Sequence, residues 1–366
     1  MLLEHDRMSD KRLILNELKI AGFRSIQELQ LHLTSGLNVF IGANGAGKSN
    51  IISFFRMLGQ MMDPNRGLRN YVAENGFADG LLFRGLENTR MLSTNLSFDS
   101  CRYEFSLNAV PDNTLFFTSE QICVDGKTSF QGRGHMESLL ASFEGYNVTQ
   151  EIRDSIRGWR TYHFHNTGST APMMGYCNTI DNECLWENAG NIAPVLMRIR
   201  DENRLHYERI VAHIKQAAPY FGDFVFKENA GKLMLCWKER YSDKIYYPAQ
   251  LSDGSARFIC LATLLLQPVP PEMIIIDEPE LGLHPTAVNV LGGMLSLAAE
   301  KSQLIVCTQS RQLVDNLDLD ELIVVDRKDG ATTCSRLDEN ALQHWLENYS
   351  LGELWEKNIF GGRPQP

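Results

Sequence analysis

The segment Gly42-Ala43-Asn44-Gly45-Ala46-Gly47-Lys48-Ser49 constrains this chain more than any other, because it completes the pattern G-x-x-x-x-G-K-[ST]. The apolar run Leu37-Asn38-Val39-Phe40-Ile41 before it reads as a strand, and Ile51 to Leu58 after it reads as a helix. Strand, glycine-rich loop and helix are the context in which this pattern binds phosphate. The glycines let the backbone curl so that successive N–H groups face phosphate oxygens, and the new helix adds the positive end of its dipole. Lys48 is placed to reach the β- and γ-phosphates, and Ser49 to ligate Mg2+.

A second segment, Met273-Ile274-Ile275-Ile276-Asp277-Glu278, is an apolar strand ending in two acids. A near-continuous apolar run suits a strand covered on both faces, as in a parallel sheet. Carboxylates at its C-terminal end lie where open α/β sheets bind ligands. Asp277 then suits Mg2+, directly or through water, and Glu278 can polarise an attacking water. Taken alone, Asp-Glu after a strand also reads as a solvated turn.

A third segment, Leu251-Ser252-Asp253-Gly254-Ser255, precedes the apolar helix expected from Phe258 to Leu266. Serine and glycine opening a helix make an anion site. The same pentapeptide would serve as an ordinary N-cap, with Ser252 or Asp253 as the cap.

Phosphate loop, late serine-glycine segment and acidic strand, in that order, resemble the ABC-type ATPases of the RecF/SMC group. More narrowly, the chain resembles the small RecF-like ATPases often labelled AAA-family, over nearly its whole length. Leu18-Lys19-Ile20-Ala21-Gly22-Phe23-Arg24-Ser25-Ile26 is similar to their opening strand and turn. Ile276 to Pro285 resembles a Walker B strand running into a D-loop, and Val306-Cys307-Thr308-Gln309-Ser310 a switch strand. The tail Tyr349-Ser350-Leu351-Gly352-Glu353-Leu354-Trp355-Glu356-Lys357-Asn358 resembles the narrower family.

This resemblance implies an α/β fold: an ABC-type P-loop NTPase head with a mixed central sheet, an antiparallel β meander and a helical insertion. It implies ATP and Mg2+ as cofactors. Gly42, Asn44, Gly45, Ala46, Gly47, Lys48, Ser49 and Asn50, with Arg24 and Ser25, would surround the nucleotide. Ser49 and Asp277 would hold the metal, and Lys48, Glu278 and Gln309 would act in catalysis. Ser252 and Gly254 would arrive from the opposite chain of a head-to-tail homodimer. Two departures stand out. Gln309 occupies a place where the wider group usually has histidine, and glutamine carries no charge. Arg311 stands where proline is common, and nothing in the sequence explains it.

The regulated target is left open by the sequence. It is DNA itself, in repair, or a TOPRIM-type or other nuclease effector, in antiphage defence. A non-hydrolysing ATP-binding scaffold is the alternative, and a P-loop kinase would have no use for Leu251 to Gly254. Asp318-Leu319-Asp320 has the form of a metal pair but is better read as a polar loop before the strand Leu322 to Val325.

With 366 residues, 43% apolar and 22% charged, the chain has the composition of a soluble globular protein with a large core. A net charge of −10 argues against a broad nucleic-acid surface, though a local groove stays open. Two arginine groups, Arg153, Arg157 and Arg160, and Arg198, Arg200, Arg204 and Arg209, read first as solvated faces. Pro268, Pro270 and Pro271 interrupt the longest apolar run, so no membrane span is expected, and a cytoplasmic location is. Eight cysteines show no C-x-x-C pair, and His163, His165, Cys177 and Cys184 fit no standard zinc spacing. Gln121 is a candidate for the glutamine loop, against the plainer reading of a surface side chain.

The expected organisation is a flexible N-terminus at 1–12, with Met8 a possible alternative start. An ATPase lobe at 13–134 would carry the phosphate loop and meander. A helical insertion at 135–221 would contain one strand from Trp159 to His165. The rest of the ATPase lobe would fill 222–366. No long heptad run is present, so no SMC-type coiled-coil arm is expected.

Overall fold

The computed structural model describes residues 12–145 and 148–362, so the lead expected at 1–12 lies outside the described residues except for Arg12. The chain divides into two compact units.

The first unit holds residues up to 35, 43–159 and 325–335. Its sheet comprises β1 (Leu15–Phe23), β2 (Ile26–His32), β4 (Met91–Phe98), β5 (Cys101–Ala109), β6 (Leu115–Val124) and β7 (Lys127–Gly132). The order is β2-β1-β4-β5-β6-β7 with antiparallel neighbours throughout. Strict alternation drives this: Leu92, Thr94, Leu96 and Phe98 of β4 are buried while their neighbours are not. Four helices accompany it, α1 (Lys48–Met61), α2 (Gly67–Glu74), α3 (Phe77–Leu81) and α4 (Val148–Gly158). Phe54 of α1 meets Phe23 edge to face at 5.5 Å, and Trp159 closes on Phe55 and Phe98 at 5.7 and 6.4 Å.

The second unit holds 36–42, 160–324 and 336–362 of the described residues. Its centre is a parallel array of β3 (Leu37–Ile41), β8 (Arg160–Tyr162), β13 (Met273–Asp277), β14 (Gln303–Thr308) and the first part of β15 (Leu322–Lys328), in the order β15-β3-β14-β13-β8. Every residue of β3 and β14 is buried, as expected of strands covered on both faces. A smaller antiparallel sheet contains β9 (Cys177–Asn178), β10 (Phe221–Asn229), β11 (Lys232–Glu239) and β12 (Ile245–Tyr246). Helices α5 (Ile192–Glu202), α6 (Arg204–Ala217), α7 (Asp253–Leu266) and α8 (Pro285–Ala299) send Leu196, Ile210, Leu261 and Leu291 into one core. The short α9 (Arg311–Val314), α10 (Glu339–Leu346) and α11 (Leu351–Glu356) follow. The remainder of β15 and almost all of β16 (Ala331–Arg336) belong to the first unit.

The α/β class, the meander and the parallel array agree with the expected head fold. The longest helix among the described residues, α8, has 15 residues, so they hold no coiled-coil arm. The boundaries differ from those expected. Residues 135–221 are not one helical insertion but are shared between the units. Trp159 is drawn to the aromatic cluster of the first unit, whereas Arg160 to Tyr162 pair with Ile274 to Ile276 of the second. Residues 163–190 hold only a 3-10 turn and the two-residue β9, and α5 and α6 follow them.

A buried polar knot ties β6 to the segment after β7. Glu120 is 0% exposed. Its carboxyl accepts from Tyr103 Oη at 2.6 Å, Ser138 Oγ at 2.5 Å and the Leu139 backbone N at 2.9 Å. Deleting the acceptor would strand three donors in a dry site. Glu120→Ala is therefore expected to destabilise the first unit by about 3 kcal/mol, read as a lower urea midpoint; an unchanged midpoint would contradict this.

Candidate nucleotide site

Parallel pairing decides which residues meet at one edge of the second unit. Ile41 is aligned with Thr308, and Cys307 with Asp277. The C-terminal ends of β3, β14 and β13 therefore lie side by side. Gly42, Gln309 and Glu278, the residues that leave these strands, start from the same edge, the ligand-binding end of a parallel sheet.

The phosphate loop continues from Gly42 into the first unit. Gly45 and Gly47 have φ of 81° and 114°, a region that side chains disfavour, and Gly47 stands directly before α1. A Cβ at Gly47 would lie 2.0 Å from Thr332 Oγ1 and 3.0 Å from Ser25 Oγ, so nothing larger fits. Asn44, Gly45 and Ser49 are exposed, while Lys48 is buried and its Nζ donates to the Ala43 carbonyl across the loop at 3.0 Å. Asn50 Nδ2 donates to Ser25 Oγ at 2.6 Å, and Thr332 Oγ1 donates to the Ala46 carbonyl at 2.9 Å. Ser25 Oγ and Thr332 Oγ1 are 2.6 Å apart; with the threonine proton committed to Ala46, serine is the donor between them. A directed chain Asn50–Ser25–Thr332–Ala46 thus fixes the loop. Thr332 arrives from distant β16, and no local signal in the sequence marks it.

Arg24, beside Ser25, takes φ of 48° and donates from Nη2 to Asn75 Oδ1 at 2.9 Å. Its Nε is sealed from solvent and has no acceptor in the protein. A cationic N–H left over next to a glycine-rich loop suits an anionic ligand. Among the described residues no three His, Cys, Asp or Glu side chains gather as a metal set. Mg2+ needs none, since it retains water and phosphate oxygens beside one or two protein groups, and Ser49 and Asp277 are of the right type. When bound, the ion would neutralise charge on the phosphates.

At the other strand ends, Glu278 donates its backbone N–H to the Cys307 carbonyl at 2.8 Å and takes φ of 43°. That conformation costs a non-glycine residue about 1–3 kcal/mol and persists only where the surroundings enforce it. Gln309 Nε2 donates to Glu278 Oε1 at 2.6 Å, so Gln309 holds the acid expected to polarise water. A residue the sequence reading missed secures this pair. Glu280 Oε1 accepts from Thr308 Oγ1 at 2.5 Å and more weakly from Gln309 N at 3.4 Å, while its Oε2 is buried without a partner. The only local sign was a third acid in Asp277-Glu278-Pro279-Glu280.

The serine-glycine segment opens α7. Ser252 is the N-cap, accepting from Ser255 N at 3.2 Å, and Ser255 Oγ is also 2.7 Å from Tyr220 Oη. The capping reading is thus realised, with Ser252 itself exposed. Gly254 passes so close to the D-loop that a Cβ would lie 2.5 Å from the Gly282 carbonyl. Buried Arg257 donates to the carbonyls of Phe164 and His165 at 2.9 and 3.3 Å, tying α7 to the segment after β8.

Other candidates take plainer roles. Gln121 donates to Glu104 on the neighbouring strand at 2.7 Å. Asp318 and Glu321 cap a 3-10 turn before β15. Arg200 and Arg204 pair with Asp201 and Glu208 on a solvated helix face.

Burial raises the Glu280 carboxyl above its ordinary value, and hydrogen bonds from Thr308 and Gln309 offset this only in part. The folded chain therefore favours the protonated acid. That stability is complete below the ordinary carboxyl range and is lost as pH rises through the raised value. Glu280→Gln mimics the protonated form. Its stability relative to wild type is expected to improve from about pH 4 to about pH 7 in denaturant titrations; a pH-independent difference would contradict the assignment.

Comparison with known proteins finds likenesses over parts of the chain and in the fold. A family model described as "AAA domain" matches residues 17–123, and one described as "AAA domain, putative AbiEii toxin, Type IV TA system" matches 200–315. The DNA replication and repair protein RecF of Shewanella piezotolerans is 37% identical over 155 residues, 41% of this chain and 39% of that protein. RecF of Renibacterium salmoninarum is 35% identical over 77 residues, 20% of this chain and 19% of that protein. The matched stretches thus span well under half of those curated relatives. Among solved structures, an Smc head bound to the C-winged helix domain of ScpA superposes with a TM-score of 0.60 at 17% identity, covering 90% of this chain and 99% of that one. The Smc head of Pyrococcus furiosus, bound to the C-terminal domain of ScpA, gives 0.58 at 15%, covering 92% and 99%. At such identities the likeness is one of fold. Fold, ordered motifs and matched relatives together make the chain similar to the RecF/SMC-like ABC-type P-loop ATPases.

Proposed function

We propose that the protein is an ATP-driven switch that binds and hydrolyses ATP as a head-to-tail dimer. The observation that carries this reading is the shared strand edge, from which the phosphate loop, Asp277-Glu278 and Gln309 all depart. Lys48 and the loop amides hold the phosphates, with Arg24 and Ser25 alongside. Ser49 and Asp277 hold Mg2+, and Glu278 takes the proton of the attacking water. For this, the Gln309 amide must leave Glu278 Oε1 and turn to the nucleotide. Glutamine brings no positive charge, so turnover is slow relative to a histidine-bearing relative. Ser252 and Gly254 approach the γ-phosphate from the opposite chain, so nucleotide bridges the halves and hydrolysis releases them.

Two pathways fit. Similarity to RecF proteins, named for DNA replication and repair, supports engagement of DNA. A family model named for a type IV toxin–antitoxin system supports the defence reading, in which a separate effector such as a TOPRIM-type nuclease would be the controlled partner. No helix among the described residues is long and apolar enough to cross a membrane.

Glu278→Gln is expected to lower kcat by at least about 100-fold and to accumulate as an ATP-bound dimer, read by phosphate release and mass measured together. Stimulation of the wild type by DNA would favour the repair reading. Absence of both hydrolysis and a mass change in wild type and variant would overturn the switch and leave a scaffold awaiting a missing partner.

A further inference from the structure

Two features have no part in the scheme above: Arg311, just beyond the switch residue, and the tail from Tyr349 to Asn358. They meet in the second unit. The Arg311 guanidinium reaches α11, with Nη1 2.6 Å from Glu356 Oε2 and Nη2 3.3 Å from Glu353 Oε1. Its Nε lies 3.7 Å from Asp315 on the other side. The Gly352 backbone N–H donates to the same Asp315 carboxylate at 2.8 Å. A Cβ at Gly352 would lie 2.6 Å from Arg311 Cγ and 2.7 Å from its carbonyl oxygen, so α11 rests directly on the start of α9. Leu354 and Trp355 are buried and anchor the helix.

Past α11 the chain turns back to the other end of the strand edge. Gly362 packs against the side chains of Val324 and Trp355, and the position its Cβ would take is 3.7 Å from Gly42 Cα. One short segment therefore touches both the residue that follows Gln309-Ser310 and the root of the phosphate loop.

We propose that residues 350–362 clamp the nucleotide edge, holding Gln309 through Arg311 and the phosphate loop at Gly42. Arg311 is a positioning residue: its three carboxylate partners belong to the clamp and to α9, and none belongs to the groups that meet ATP. Exposed ion pairs are individually weak, so the buried Leu354 and Trp355 keep the helix docked. The arginine's fixed fork sets where α9 begins, and with it the aim of the Gln309 amide at Glu278. This account explains why arginine replaces proline at position 311. It rests on the nucleotide reading above, and it is testable without nucleotide.

Amide hydrogen exchange of the nucleotide-free full chain is the first readout, for Arg311→Glu and for the surface pair Glu353→Gln with Glu356→Gln. Both are expected to speed exchange at 309–312 and 42–44 by about tenfold, with the core of β13 and β14 unchanged. In steady-state assays both should lower kcat more than they alter KM for ATP, and raised salt should weaken the wild type in the same way. Unchanged exchange at 309–312 in either variant overturns the clamp, whatever the kinetics. Faster exchange in a chain that never hydrolyses ATP upholds the clamp and sinks the ATPase reading instead.

Discussion

Parallel hydrogen bonding among β3, β14 and β13 is the constraint on which the rest depends. The three strands pair in one parallel ladder, with every residue of β3 and β14 buried. With Ile41 level with Thr308 and Cys307 level with Asp277, the chemistry-bearing residues follow at one edge without further arrangement. The register thus sets which residues share that edge.

Around that edge, side-chain amides, hydroxyls and carboxyls form short hydrogen-bonded links. Gln309 reaches Glu278 through an amide, and Glu280, held toward its neutral form by burial, secures the backbone behind it. The phosphate loop is fixed in the same manner, by the chain from Asn50 through Ser25 and Thr332 to the Ala46 carbonyl. Such networks are stiff and directional.

What the sequence revealed follows from the range of each interaction. The phosphate loop was legible because its glycines answer to a local backbone requirement, and β13 because a buried parallel strand writes a continuous apolar run. The cap at Ser252 was legible for the same reason, lying within one turn of its partner. Thr332, the Glu280–Thr308 bond and the seat of α11 on Arg311 were not, since each joins residues whose proximity only the fold creates. The region 135–221, expected to be one insertion, divides between the two units at 159/160, because helical periodicity states which face is buried, and not in which unit. A three-residue strand such as β8 is too short to show a period at all.

The central claim is that each nucleotide is served by the phosphate loop of one chain and the serine-glycine segment of another. Mixing two inactive variants, Lys48→Ala and Ser252→Arg, tests it most directly. Their mixed dimer would keep one site with both segments intact, so ATP hydrolysis should return on mixing. If each variant is inactive alone and the mixture remains inactive despite forming mixed dimers, both segments act within a single chain and the account is wrong.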